Sequence, residues 1–105
     1  MWFCVCALSI AEHDQKRPVD ALWEEQFFLV DAESTEDALV KGEQFARAGG
    51  ARYRNAAGEM VHWKFEKIES AHELLDQELK SGTEVFSRFL REGQVQSLLR
   101  PAFPD

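Results

Sequence analysis

The residues best suited to chemistry lie inside an apolar run, residues 22–30, which carries two adjacent carboxylates, Glu24 and Glu25. The apolar order predicts a β-strand, in which neighbouring side chains point to opposite faces of the sheet. The two glutamates therefore cannot share one site by themselves. Because a charge beside a buried layer needs water or a partner, we expect each glutamate to face solvent or a polar group on its own face.

Polar residues on other predicted strands could complete a site around these carboxylates. His62 beside Glu24 or Glu25 would give the histidine–carboxylate pair that is the minimum for acid–base catalysis. Arg88 could meet the same carboxylates across the sheet. The competing interpretation, which we favour, is that these charges satisfy one another and fix strand register, since a cross-strand ion pair contributes up to about 1 kcal/mol.

Aromatic residues offer a second kind of candidate site. Trp2, Trp23 and Trp63 could form a wall for a ligand, but aromatic residues at alternating strand positions are more often part of a core or an interface. The residues predicted to bind a ligand or partner are Trp23, Glu24, Glu25, His62, Glu84, Ser87 and Arg88.

The motifs of several enzyme classes are absent from the sequence. It has no glycine-rich phosphate loop before a helix, no H-E-x-x-H, no paired C-x-x-C and no G-x-S-x-G. Cys4 and Cys6 are two residues apart, too close for an unstrained disulfide, and we predict free buried thiols rather than metal ligands. We therefore predict no catalytic residue, no metal site and no cofactor.

Composition limits the class of protein. The chain has 105 residues, of which 45% are hydrophobic, enough for one domain with a core. Its net charge is −7, and residues 1–50 carry ten acidic and four basic side chains. Acidic proteins are repelled by phosphate backbones, so we predict no nucleic-acid partner. The acidity serves either solubility or a basic partner protein.

Targeting signals are not evident in the sequence. No apolar run approaches the roughly 20 residues that span a bilayer. The first residues, Met1-Trp2-Phe3-Cys4, lack the positive charge that opens a secretory signal. We therefore expect no membrane association and a cytoplasmic location.

Residues 1–67 predict two strands, a helix and a hairpin. Residues 2–10 are nearly continuous in apolar residues, which is typical of a central strand buried on both faces, and residues 12–20 form a polar loop before the second strand, 21–31. Ser34 is a good helix N-cap, and Gly49-Gly50 ends that helix. Gly42 lies on the buried stripe of this helix. Close packing of the helix against a sheet explains a glycine at that position. Residues 52–54 and 59–67 form a hairpin around residues 55–58.

The segment at residues 70–80 is ambiguous. Ser70 and Glu73 match a capping box, and the apolar spacing favours a short helix. The same residues could continue the preceding strand with a bulge after Phe65. Residues 83–90 predict a final strand. The fold class is thus α+β, an antiparallel sheet of about five strands with one main helix on one face, in the order β-β-α-β-β-(short α)-β.

One helix covers only one face of a sheet, whereas the first two predicted strands are apolar on both. Because a large exposed apolar patch is unusual on a monomer, we predict a homo-oligomer, most simply a two-fold dimer. Residues 1–91 form a single domain. Residues 92–105 form a tail that docks on this domain or on a neighbouring subunit.

Three short motifs resemble those of a family of small bacterial proteins catalogued as a domain of unknown function. They are an opening Trp2-Phe3, then Leu22-Trp23-Glu24-Glu25, and a late run from Gly82 to Arg88 that reads G-T-E-V-F-S-R. The resemblance covers residues 1–91. It implies a bacterial, cytosolic protein and draws attention to Glu24, Glu25, Glu84 and Arg88, but it brings no activity or cofactor.

These observations predict a small non-enzymatic module for protein binding or assembly that acts as a homodimer. An acidic first half suits a basic partner. The alternative is a small-molecule-binding protein or a minimal enzyme, whose site would use Glu24 or Glu25 with His62 and Arg88.

Overall fold

Four antiparallel strands form one sheet in the order β2-β1-β4-β3 in the computed structural model, which describes residues 1–99. The elements along the chain are β1 (Trp2–His13), β2 (Trp23–Asp31), α1 (Thr35–Ala48), β3 (Arg52–Arg54), β4 (Met60–Glu73) and α2 (Glu92–Leu98). The predicted α+β class is confirmed. No helix within these 99 residues is long and apolar enough to cross a membrane.

β1 is an inner strand of the sheet, as its nearly continuous apolar sequence predicts. It pairs with β2 along one edge and with β4 along the other. Phe3, Val5 and Ala7 point to the face that α1 covers, and they are buried there. Cys4 and Cys6 alternate with them and point to the opposite face, called here the second face.

The ends of α1 follow the predicted signals. Ser34 is the N-cap, and its Oγ accepts a hydrogen bond from the Asp37 N–H at 3.1 Å. The Asp37 carboxylate accepts one from the Glu33 N–H at 3.1 Å, and this bond, helped by Lys41, lowers the pKa of Asp37. Gly49 is the C-cap. The bond to Ser34 satisfies an N–H group that the first helical turn leaves without a partner, and the bond from Glu33 fixes the residue before the N-cap.

Gly42 allows α1 to lie directly on β1. A Cβ added at Gly42 would come within 2.5 Å of Cγ1 of Val5, a fully buried residue. Ala38 and Ala46, one turn away on either side, are also buried against the sheet. The close helix-to-sheet packing predicted from this stripe of small residues is therefore confirmed.

The favoured short helix at residues 70–80 is wrong, because β4 continues as a strand to Glu73. Its pairing with β1 shifts twice, once at Glu66 and once at Glu69, so β4 has two bulges. The first directly follows Phe65, as the alternative interpretation expected. Each bulge adds one residue, so Phe65, Ile68 and Ala71 all face α1 although they are three residues apart. That spacing imitates a helix.

The predicted final strand at residues 83–90 is also wrong, since these residues pair with no strand among residues 1–99. After β4 the chain turns at Leu74, whose carbonyl accepts a hydrogen bond from the Gln77 side chain at 2.7 Å. Residues 84–87 then pass over the second face. Side-chain contacts with that face replace the ladder hydrogen bonds of a fifth strand.

The tail beyond residue 91 begins with α2. None of its residues is buried, and it packs against no other helix or strand within residues 1–99. The end of the tail, residues 100–105, lies outside the described residues. Docking of the tail on a neighbouring subunit therefore stays a prediction.

We expect Gly42→Ala to lower the free energy of unfolding by about 1 kcal/mol. Overpacking against Val5 should cost about 1–3 kcal/mol, and the better helix propensity of alanine should return about 1 kcal/mol. Denaturant unfolding followed by circular dichroism measures the difference. The double variant Gly42→Ala/Val5→Ala should lose less than the sum of the single changes, because the clash is removed.

Gly93→Ala is the matched control, since Gly93 also lies in a helix but has no atom near an added Cβ. It should not lower stability. A Gly42→Ala variant as stable as the wild type would contradict the close contact.

Candidate functional site

Phe86 holds residues 84–87 against the second face. Its ring centroid lies 5.2 Å from the ring of Phe27 on β2 and 5.2 Å from the ring of His72 on β4. Because β1 runs between those strands, Phe86 spans it at the level of Cys4 and Cys6, each 2% exposed. The second face is thus partly covered by the chain itself.

A cavity of about 200 Å³ lies beside Phe86, between the end of β4 and the passing segment. Its walls include His72, Glu84 and Ser87. Two of the predicted site residues, Glu84 and Ser87, are therefore brought together, with a histidine that the prediction did not include. The cavity is smaller than the roughly 300–1,000 Å³ of typical ligand pockets.

Cys6, Glu25 and Glu69 form a polar cluster in the middle of the second face. Their ligating atoms lie within 4.8 Å of one another, and the Cys6 thiol donates to Oε2 of Glu69 at 3.3 Å. Burial raises the pKa of Cys6 to about 12, with further contributions from the hydrogen bond to Glu69 and from the charges of Glu69 and Glu25. The thiol is therefore protonated at neutral pH, a form that is neither a good nucleophile nor a metal ligand.

Glu69 was missed by the sequence analysis because it is a bulge residue. In a regular strand it would alternate with Ile68 and Ser70, but the bulge changes the count and places its carboxylate next to Cys6. The only sequence signal is the three-residue spacing of Phe65, Ile68 and Ala71, which fits two bulges as well as it fits a helix.

The other bulge residue, Glu66, contributes to a contact around Trp23. Nη2 of Arg17 lies 3.0 Å from Oε1 of Glu66, and the guanidinium carbon lies 5.5 Å from the centre of the Trp23 ring. Trp23 is thus partly covered by a cation held by an ion pair. This arrangement orients the indole and leaves 43% of the residue exposed.

The predicted glutamates lie on opposite faces. Glu25 pairs with Leu8 and belongs to the cluster on the second face, whereas Glu24 pairs with Ser9 and lies on the face that α1 covers. No ion pair within residues 1–99 joins either glutamate to Arg88. The expected pairing with Arg88 is therefore not formed in this part of the chain.

His62 lies far from the glutamates along the sheet. His62 pairs with Glu12 of β1, whereas Glu25 pairs with Leu8 of β1. Glu12 and Leu8 are four residues apart, which corresponds to about 13 Å along the strand. His62 borders a cavity of about 250 Å³ that is also lined by Arg52, Asp14 and Gln15. The structure therefore does not combine His62 and Glu25 into one acid–base pair.

The turn beside His62 has an unusual backbone. Asp14 and Gln15 have φ values of 50° and 67°, and they join His13 to Lys16, which exchange two main-chain hydrogen bonds. A two-residue turn with both φ values positive matches strand twist but favours glycine and asparagine. Oδ1 of Asp14 accepts a hydrogen bond from the Met60 N–H at 2.9 Å, which ties the turn to β4.

We expect Cys6 to react slowly with iodoacetamide at neutral pH in the folded protein and at an ordinary thiol rate after denaturation. In a Cys4→Ala background, Glu69→Ala should speed the reaction, because it removes a hydrogen bond and a charge that raise the pKa of Cys6. Since the folded pKa is raised, the thiol's contribution to stability is present below its unfolded pKa and is lost as pH rises toward about 12.

Glu84→Ala provides a control, because Glu84 lies outside the cluster of Cys6. A folded protein whose Cys6 reacts as fast as the denatured chain would contradict the assignment of a protonated, buried thiol.

Comparison with known proteins gives one match. The model of a family described as a domain of unknown function (DUF4288) matches residues 2–87. No curated protein and no solved structure matches the chain. The matched region contains the whole sheet and α1, and it ends one residue after Phe86, the residue that closes over the second face. The chain therefore belongs to the family described as Domain of unknown function (DUF4288).

Proposed function

We propose that this protein is a non-enzymatic module for protein binding or assembly that acts as a homo-oligomer in the bacterial cytoplasm. The observation that carries the proposal is the apolar surface of β2. Trp23, Phe27 and Leu29 lie on the second face and are 43%, 49% and 45% exposed. Because they lie on the same side of one strand, they form an apolar row, which Glu25 interrupts between Trp23 and Phe27.

This row lies on an edge strand, since β2 is the first strand in the sheet order. An exposed, long and apolar edge strand is an aggregation hazard that proteins usually protect. A specific partner on β2 would remove that hazard and bury the apolar row, which is the simplest physical reason for the sequence to keep it.

The C-terminal part of the chain supports the same proposal. Leu75 is almost fully exposed and Phe89 is completely exposed. The radius of gyration is 16.2 Å, whereas a compact chain of this length should have about 13 Å. Apolar residues on an extended arm find too little surface to bury against in one copy, and a neighbouring copy would supply it.

Charge favours protein over nucleic acid as the partner. The chain has a net charge of −7, and both glutamates of β2 are exposed. A partner other than a second copy should therefore present basic and apolar groups together. The cytoplasmic location is supported by two free, buried cysteines, which suit a reducing compartment.

The alternative, a small-molecule site or minimal enzyme using Glu25, His62 and Arg88, has less support. Glu25 and His62 are about 13 Å apart along the sheet. The cavity beside Glu84 and Ser87 is the part of that alternative with a geometric basis, but its volume of about 200 Å³ suits only a very small ligand.

We expect light scattering on a sizing column to give a mass above the 12.0 kDa of one chain. Leu29→Asp should lower this mass toward that of the monomer, because a charge would replace part of the apolar row. Circular dichroism should show an unchanged fold, since Leu29 is half exposed.

Val19→Asp is the matched control, because Val19 is equally apolar and fully exposed but lies outside the strands. It should leave the mass unchanged. A wild-type chain that stays monomeric at every concentration would overturn the homo-oligomer.

A further inference from the structure

The outer edge of β2 has unused main-chain hydrogen-bonding groups. In an antiparallel pair, alternate residues direct both their N–H and C=O toward the partner strand. The bonds from Ala11 N–H to Leu22 C=O at 3.0 Å and from Ala32 N–H to Met1 C=O at 2.9 Å show that even-numbered residues of β2 face β1. Odd-numbered residues therefore direct their groups outward.

Four of these outward residues lack a main-chain partner within residues 1–99. They are Trp23, Glu25, Phe27 and Leu29. The fifth, Asp31, differs because its carbonyl accepts a hydrogen bond from Nζ of Lys41 at 2.9 Å. The open part of the edge thus has defined ends, with Lys41 closing one of them.

The open edge lacks several of the usual protections against strand pairing. β2 has nine residues without proline, lysine or glycine, and its register with β1 runs without a bulge. Natural edge strands are commonly blocked by such features. The charges on β2 next to the open edge are Glu24 and Glu25.

The four open residues are symmetric about Gln26. We propose that two copies of this chain pair antiparallel through β2, with the two-fold axis at Gln26. Trp23 of each copy then lies opposite Leu29 of the other, and Glu25 lies opposite Phe27. The four residues of each copy exchange eight main-chain hydrogen bonds, and the two sheets become one.

The charges fit this register. Glu25 faces Phe27 and Glu24 faces Phe28 of the second copy, so no two carboxylates lie directly opposite. A pairing centred on Glu25 would instead place that residue against itself, which is unfavourable. In the proposed register Glu24 of the second copy lies on the face that α1 covers. It lies toward the end of the edge that is closed by the Lys41 ammonium.

The apolar residues also fit. Trp23 and Leu29, both nearly half exposed in one copy, become direct neighbours on the second face at each end of the interface. Gln26 meets its own counterpart at the axis, and a primary amide can both donate to and accept from another amide. Each open group of β2 thus gains a partner, and Trp23 and Leu29 gain apolar neighbours, whereas Phe27 lies opposite Glu25.

This inference rests on the proposed homo-oligomer and specifies its interface. The main test is Glu25→Pro, which removes an N–H that points outward and leaves the bonds to β1 intact. Light scattering should show a dimer for the wild type and a monomer for Glu25→Pro. Glu25→Ala is the matched control, because it removes the same carboxylate but keeps the N–H, and it should stay dimeric.

A cysteine at the axis gives a second measurement that does not depend on the tolerance of proline. Gln26 and its counterpart form a non-hydrogen-bonded pair with Cα atoms about 4.5 Å apart, within disulfide range. In a Cys4→Ala/Cys6→Ala background, mild oxidation should link Gln26→Cys chains into a covalent dimer. Chains with Glu24→Cys should not cross-link, because residue 24 of each copy lies opposite Phe28 of the other copy and not opposite the second cysteine.

The outcomes separate the two proposals. A monomeric wild type would overturn both the homo-oligomer and its interface. A dimer that resists Glu25→Pro, does not cross-link through Gln26→Cys and is lost with Leu29→Asp would overturn strand pairing alone, and would assign the contact to the apolar face.

Discussion

The fold depends on the burial of β1 on both faces. A strand with mainly apolar residues on both faces needs cover above and below, and each cover has its own physical origin. On one side the absence of a side chain at Gly42 lets α1 rest on Val5. On the other side a single ring, Phe86, bridges Phe27 and His72 over the two cysteines. The first cover is a helix, whereas the cover over the two cysteines includes a single aromatic ring.

The sequence was sufficient where a local signal and the global structure agree. Ser34 and Gly49 define α1 because capping is a matter of a few neighbouring atoms. The central position of β1 followed from its apolar residues, because both faces of a central strand are enclosed. The hairpin around residues 55–58 followed from turn chemistry in the same way.

The sequence was insufficient where pairing between residues far apart in the chain determines the structure. Ser70 and Glu73 have the chemistry of a helix start, but pairing with Cys6 and Phe3 makes them part of a strand. Residues 83–90 alternate like a strand, yet the burial of Phe86 holds them over the face and not at an edge. The predicted site residues were separated for the same reason, since Glu25 and His62 lie at different levels of the sheet.

The two bulges of β4 determine which face of the sheet each of its side chains occupies. Over the paired region, residues 61–73 of β4 lie against residues 3–13 of β1. Exchanging Glu66 or Glu69 for another residue alters one side chain. Deleting either residue would remove the extra residue of its bulge, and the residues that remain would alternate regularly against β1 and keep their faces. Ala71 would still lie opposite Val5, and His72 would still lie opposite Cys4. The two bulges are thus the positions at which β4 can lose a residue without moving its other side chains to the opposite face.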